Sequence, residues 1–368
     1  MKITSSSDLR FACLGALIVG AWAAVNPFVP RPFPADAAKS AGRPAPADSR
    51  SYTLLFAGDV MLSRTVGARM AAQHDWTLPF QLIRDTLRQA DLRYCNLECP
   101  VSDRGRNLHH IYSFRADPRV LAGLKFADFN VVSLANNHAY DWGPESLLDS
   151  LARLCNAGIR SVGAGPTALA AHHPVVVDLH GLRLAFLAYV NIDPREATAG
   201  ANRPGVAWLD LPQVLEDIRL ARPLADLVIV CPHWGVEYAL EPAPEQVEMA
   251  HRIIDAGADM IVGSHPHVVQ PVEIYRGHWI AYSLGNFIFD QHDRPTHRGL
   301  LLRATVRGKT IADVAAIPID INPRYQASLA PPPPAARTLV SGLNSKTLPT
   351  TKYVDTSRTT GGDSVPGR

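Results

Sequence analysis

The sequence lacks a surplus of charge of either sign. Lys and Arg number 36 against 34 Asp and Glu, leaving a formal net charge of +2 over 368 residues. A basic surplus is what steers a protein to phosphate backbones, so there is no electrostatic case for nucleic acid. Cysteine is also scarce, five in all. Cys95, Cys99, Cys155 and Cys231 lack the paired C-x-x-C spacing of a zinc knuckle. Four cysteines allow three disulfide pairings, and buried free thiols are an equal alternative. Cys13 lacks the Leu-rich approach of a lipoprotein box. No repeat with a period of 20–50 residues is present, which excludes solenoids and propellers. No apolar run reaches the roughly 20 residues of a full membrane span. The longest, FACLGALIVGAWAAV at 11–25, follows Lys2 and Arg10 and stops at Asn26-Pro27. A basic start before such a run reads as a secretory signal or a signal anchor. Ala21-Trp22-Ala23 and Ala35-Asp36-Ala37 both offer small residues for cleavage. Either way the body of the chain is expected outside the cytoplasm, membrane-anchored or secreted.

What remains is ample for a core, since 47% of the residues are apolar. Residues 1–28 form the signal or anchor. Residues 29–51, rich in Pro and Ala, read as a tether. From 326 to 368 a stretch containing PPPP and much Ser, Thr and Gly is expected to be disordered. The folded unit is therefore 52–325. Within it, strand-like runs such as TLLFAG (53–58), DLRYCNLE (91–98), FNVVSLAN (129–136) and ADLVIVCPHWG (225–235) alternate with amphipathic ones. The latter, at 78–90, 144–158, 211–222 and 243–258, have helical spacing. Alternation of this kind predicts an α/β fold. The final third carries strands without helices, so the sheet is expected to be mixed: a two-sheet sandwich flanked by helices.

The polar residues gather where strands stop. Asp59 follows 53–58, and Asn96 to Glu98 close the next strand. Asn136, Asn137 and His138 follow 129–135, with Asp141 just after. His233 ends 225–231, with Glu237 nearby. His265-Pro266-His267 follows ADMIVG, and Asn286 follows 279–284. In α/β sheets ligands bind at the carboxyl ends of strands. In an extended segment residues i and i+2 point the same way, so His265 and His267 are expected to converge. A solvated polar turn is the bland alternative for that pair alone. Carboxylate, amide and imidazole without thiolate form a ligand set for hard-to-borderline divalent ions.

In order, GDVMLSR, NLECPVSD, YSFRADP, SLANNHAYDWG, PHWGVEY, ADMIVGSHPHVVQ and SLGNFIFDQ resemble the CapA family of bacterial capsule (poly-γ-glutamate) synthesis proteins, over about 52–300. The resemblance implies a calcineurin-like metallophosphoesterase fold and a site holding one or two divalent ions (Mn, Fe or Zn). By motif, Asp59 matches the first ligand, but Met61 stands where a histidine is expected. Glu98 stands for the bridging carboxylate, Asn137 for the amide ligand, and His233, His265 and His267 for the imidazoles. The resemblance places one ion on Glu98, Asn137, His233 and His265. The other falls to Asp59, Glu98 and His267, with Glu237 or Asn286 to complete it. His138 is the implied acid, with Asp141 to orient it. Arg64 and Arg115 offer forked donors to an anionic substrate. The resemblance further implies an anionic polymer such as poly-γ-glutamate and membrane-bound capsule synthesis proteins as partners. Two functions follow: a metal-dependent hydrolase of a phosphoester or γ-glutamyl amide, or a non-catalytic polymer-binding or assembly component.

Overall fold

The computed structural model describes residues 50–331 and 352–353. The expected signal or anchor, most of the tether, and most of the C-terminal tail lie outside the described residues. Among those described, no helix is long and apolar enough to cross a membrane.

The strands are β1 (Ser51–Val60), β2 (Leu92–Leu97), β3 (Val131–Ser133), β4 (Arg160–Val162), β5 (Ala164–Gly165), β6 (Val175–Leu179), β7 (Leu182–Val190), β8 (Gly205–Val206), β9 (Leu227–His233), β10 (Met260–Val262), β11 (Val272–Tyr275), β12 (His278–Ala281), β13 (Asn286–Ile288), β14 (Arg298–Arg307), β15 (Thr310–Ile321), β16 (Ala327–Leu329) and β17 (Lys352–Tyr353). The larger sheet runs β16-β15-β14-β1-β2-β3-β4, with β13 also pairing β1 and β17 pairing β15. Its β1 to β4 are parallel, whereas β14 pairs β1 antiparallel. The second runs β11-β12-β10-β9-β7-β6, parallel in its centre and antiparallel at both edges. The mixed two-sheet α/β sandwich expected from sequence is what forms.

Side chains alternate across each strand, and this builds the layers. Leu54 and Phe56 of β1 meet Leu184, Phe186, Ile229 and Met260 in the core between the sheets. Leu55 and Ala57, one residue out of phase, face the helical layer of Val66, Met70, Leu124, Leu147 and Leu154. On the far side, Ala185, Leu187 and Tyr189 pack on Val214, Ile218, Ala250 and Ile253. The helices supplying these layers are α1 (Arg64–Ala72), α2 (Arg84–Leu87), α3 (Leu121–Phe126), α4 (Gly143–Asn156), α5 (Ala168–His172), α6 (Leu211–Ala221) and α7 (Pro244–Asp255). The result is a helix–sheet–sheet–helix stack, both sheets being buried on two faces.

The structure corrects several expectations. The helix expected at 78–90 is a 3₁₀ turn at Leu78–Phe80 followed by the single turn α2, because Pro79 and the bulk of Phe80 favour a tight start over a continuous helix. The fold does not stop at 325, since β16 pairs Ala327–Leu329 with Ile319–Ile321. Of the two alternatives for the four cysteines, free thiols are what the structure shows, with Cys95, Cys99 and Cys231 buried and Cys155 exposed.

Close approach explains Gly263, between β10 and its histidines. A Cβ there would lie 2.0 Å from the Tyr282 carbonyl oxygen and 2.7 Å from Trp234 Nε1. The first obstacle is backbone and cannot rotate away. Gly263→Ala is therefore expected to cost about 3 kcal/mol or more, at the upper end for overpacking, read as a lowered urea midpoint in chelated protein.

Candidate metal centre

The carboxyl ends of β1, β2, β3, β9 and β10 open on one polar cluster drawn from both sheets. Asp59 and Glu98 are fully buried, and His233, His265 and His267 nearly so. Ligand atoms of Asp59, Glu98 and His233 lie within 4.8 Å of one another, as do those of Glu237, His265 and His267. His267 joins the two groups, its Nε2 being 3.7 Å from Glu98 Oε1 and its Nδ1 3.4 Å from Asp59 Oδ2. Asn137 Oδ1 faces His233 Nε2 at 2.9 Å.

Amides orient these groups. Asn136 Nδ2 donates to the Leu97 carbonyl and to Asn96 Oδ1. That leaves Asn96 Nδ2 to donate to Asp59 Oδ1 at 2.8 Å and Glu98 Oε2 at 3.3 Å. Asn286 Nδ2 donates to Gln291 Oε1 and to the Thr296 carbonyl. Its oxygen therefore accepts from His267 Nδ1, 2.9 Å away, which sets the tautomer and keeps Nε2 open as a ligand. Asn286 is thus a support for a ligand in this arrangement. Sequence reasoning gives Asn96 no role of its own, although it lies two residues from Glu98 on the same face of β2, a signal that period-2 alternation carries.

The histidine turn is not extended. His265 has φ 99° and His267 φ 59°, both in the region that favours glycine. The two rings do converge, with centroids 5.9 Å apart, but a strained turn brings them together, not strand alternation. Such strain gathers where a site demands a geometry. Burial first, then the neighbouring imidazoles His265, His267 and His138, hold His233 well below the usual histidine range. Burial and then His267 pull His265 down to about 3. Both rings are therefore neutral, the form that binds a cation. Burial, then the Asp59 carboxylate beside it, push Glu98 well above the usual carboxylate range.

Does this set fit a divalent cation? Glu98 Oε1 and His265 Nδ1 are buried without a hydrogen-bond partner. An orphaned buried polar atom costs about 1–3 kcal/mol, and here the orphans are a carboxylate oxygen and an imidazole nitrogen aimed at one cluster. The residues fit.

His138 stands beside it. Its Nδ1 is 2.8 Å from Asp141 Oδ2, the same oxygen that accepts from Phe114 N at 2.7 Å. Its Nε2 is 4.0 Å from Glu98 Oε1. Phe114 stacks on the imidazole at 3.8 Å. Arg64 is at the rim, its guanidinium paired with Asp290 and 4.6 Å over the Phe114 ring. Arg115 lies over Trp142 at 3.5 Å and donates to the Arg104 carbonyl, so the structure does not bring it to the cluster. Met61 is buried in the helical layer, its sulfur accepting from Ser63 N at 3.2 Å.

The family model described as bacterial capsule synthesis protein PGA_cap matches residues 53–291. The PGA biosynthesis protein CapA of Bacillus subtilis (strain 168) is 33% identical over 282 residues, which is 75% of this chain and 72% of that one. The capsule biosynthesis protein CapA of Bacillus anthracis is 31% identical over 286 residues, covering 74% and 68% respectively. Among solved structures, a hypothetical protein from Thermus thermophilus aligns with a TM-score of 0.48 at 18% identity, over 73% of this chain and 99% of that one.

Proposed function

Since the chain belongs to the PGA_cap family of bacterial capsule synthesis proteins, we propose that it is a divalent-metal hydrolase. It cleaves a phosphoester or a γ-glutamyl amide during poly-γ-glutamate synthesis or export, outside the cytoplasm. The observation that carries the catalytic part is the buried Glu98 Oε1, without a hydrogen-bond partner among the imidazoles of the cluster and next to a histidine held by an aspartate. The apolar segment at 11–25 supports export, and the relatives' names, a PGA and a capsule biosynthesis protein, support an anionic capsule polymer as partner; membrane-bound capsule synthesis proteins are the further partners of this reading.

Asp59, Glu98, Asn137, His233, His265 and His267 would hold the ions. An oxygen and nitrogen set without thiolate suits Mn, Fe or Zn. A bound divalent ion polarises the attacked bond and lowers the pKa of water. His138 gives the proton at Nε2 to the leaving alkoxide or amine. Asp141 holds Nδ1–H, so that the ring presents Nε2 inward. Phe114, flat against the ring, excludes water from one face. Arg64, at the rim, is the holder of substrate charge in this reading once its guanidinium leaves Asp290, whereas Arg115, held over Trp142, is not placed to reach the cluster.

The test is elemental analysis of the full chain purified without chelator, beside the double variant His265→Ala/His267→Ala. One to two equivalents of Mn, Fe or Zn are expected in the parent and none in the variant, with phosphodiester or γ-glutamyl hydrolysis tracking the metal. No metal after reloading would remove the catalytic reading. A second reading, polymer binding with little turnover, is favoured by Met61 at the position of the expected histidine. It predicts metal content without hydrolysis.

A further inference from the structure

We propose that Glu237 supplies the ligand missing at position 61, so that Glu237, His265 and His267 would hold a second ion beside the one held by Asp59, Glu98 and His233. The proposal rests on the metal-site reading above; it takes Glu237 over Asn286 to complete the second ion, and departs from the ligand sharing that the resemblance implies by giving that ion His265 in place of Asp59.

Position 61 cannot serve. Its side chain is a thioether buried in the helical layer, and a soft sulfur is a poor donor to an ion held by carboxylates and imidazoles. Glu237 approaches from a different side. It follows β9 by four residues, beyond a left-handed turn at Gly235 with φ 91°. Two backbone hydrogen bonds pin its loop to the histidine turn. Trp234 N donates to the Ser264 carbonyl at 3.1 Å, and Tyr238 N to the Pro266 carbonyl at 2.9 Å. Glu237 therefore rides above His265 and His267, all three offering ligand atoms within 4.8 Å of one another. Its carboxylate has no hydrogen bond or ion pair among the described residues.

Two buried observations point to the same spot. His265 Nδ1 and Glu98 Oε1 are without partners. His267 is held by Asn286 so that Nε2 faces Glu98. Tyr238 has φ 64°, so the facing loop is strained as the histidine turn is. Charge agrees as well. Asp59, Glu98 and Glu237 bring three negative charges, while the nearby Arg64 is already paired with Asp290. One divalent ion would leave the cluster at −1, and two bring it to +1, suited to an anionic substrate. Because Glu237 is exposed, the ion it holds is the one a substrate meets first and the one that exchanges faster.

Titration of the full chain with Mn²⁺, followed by calorimetry and by electron paramagnetic resonance, separates the possibilities. The parent is expected to take two equivalents and show a coupled pair. Glu237→Gln is expected to take one and show the signal of an isolated ion. Glu237 is exposed, so this variant retains the fold. Equal stoichiometry in parent and variant overturns the role of Glu237 and leaves the metal-site reading standing. No binding in the parent overturns both.

Discussion

Glu98→Gln is expected to abolish metal-dependent hydrolysis and, in the same protein, to raise the stability of the metal-free form. The two effects have one cause. Glu98 is fully buried beside Asp59, and two carboxylates in that setting resist ionising together. Its folded pKa lies above its unfolded value. Its contribution therefore favours the folded state at acid pH, and is lost as pH rises through the folded value. Glutamine mimics the protonated form without the titration. Chelated Glu98→Gln should thus melt about 2–4 °C above the chelated parent at pH 8, corresponding to roughly 1 kcal/mol at this size. The gap should close toward pH 4. His265 acts in the opposite sense. With a folded value of about 3 against an ordinary 6.5, it destabilises the fold as pH falls below about 6.5, in parent and variant alike. Metal affinity should fall by at least about 100-fold, because losing even an outer hydrogen-bond partner costs up to that much. Scanning calorimetry with and without chelator reads both effects. A variant that melts below the parent when metal-free would refute the account of Glu98.

His138 and Asp141 should separate chemistry from binding. Replacing His138 by Ala, or Asp141 by Asn, is expected to lower kcat by about 10²–10⁴-fold, the usual worth of a positioned proton donor, with metal content unchanged. Asp141→Asn is the more informative change. The wild-type Oδ2 accepts from both Phe114 N and His138 Nδ1. An amide that turns its NH₂ to His138 would shift the ring proton to Nε2, and one that keeps its oxygen there would lose the charge that steadies the ring. Measured together, kcat and metal stoichiometry decide the matter. Full activity in His138→Ala would mean that the proton comes from elsewhere, and full activity in Asp141→Asn that His138 needs no carboxylate to orient it.

Much of this site is legible in the sequence, for a physical reason. A buried strand cannot tolerate polar residues along its length, so Asp59, Glu98, His233 and the histidine pair stand out where apolar runs stop. The same runs announce β1, β2, β7 and β9. Elements whose stability comes from tertiary contact are less visible. Helix α1 contains Gly67 and an Arg at each end of its first six residues, and its N-terminus is capped from afar by Asp290, which accepts from Thr65 N. Strand β15 reads as an unremarkable polar-to-apolar stretch until β14 pairs with it along its length. Strand alternation is the wrong account of the turn at 265–267, and no local pattern foretells two non-glycine residues at positive φ. Asp290, 226 residues from Arg64, carries no local signal of its partner either.

The donors are divided between the sheets. Asp59 lies at the end of a strand of one sheet and Glu98 and Asn137 follow strands of the same sheet, while His233, His265 and His267 end or follow strands of the other. An ion held by both sets would rivet the sandwich at one end, where no cysteine of the described residues is paired. Ligands that bind only the folded state stabilise it by mass action. Here that stabilisation would fall on the mouth between the sheets, and local opening there is what proteases and amide exchange detect. Starved of metal, the protein should gape and be cut at its strand-end turns before the rest of the sandwich yields. Its lifetime, and not only its activity, would then follow the supply of the ion.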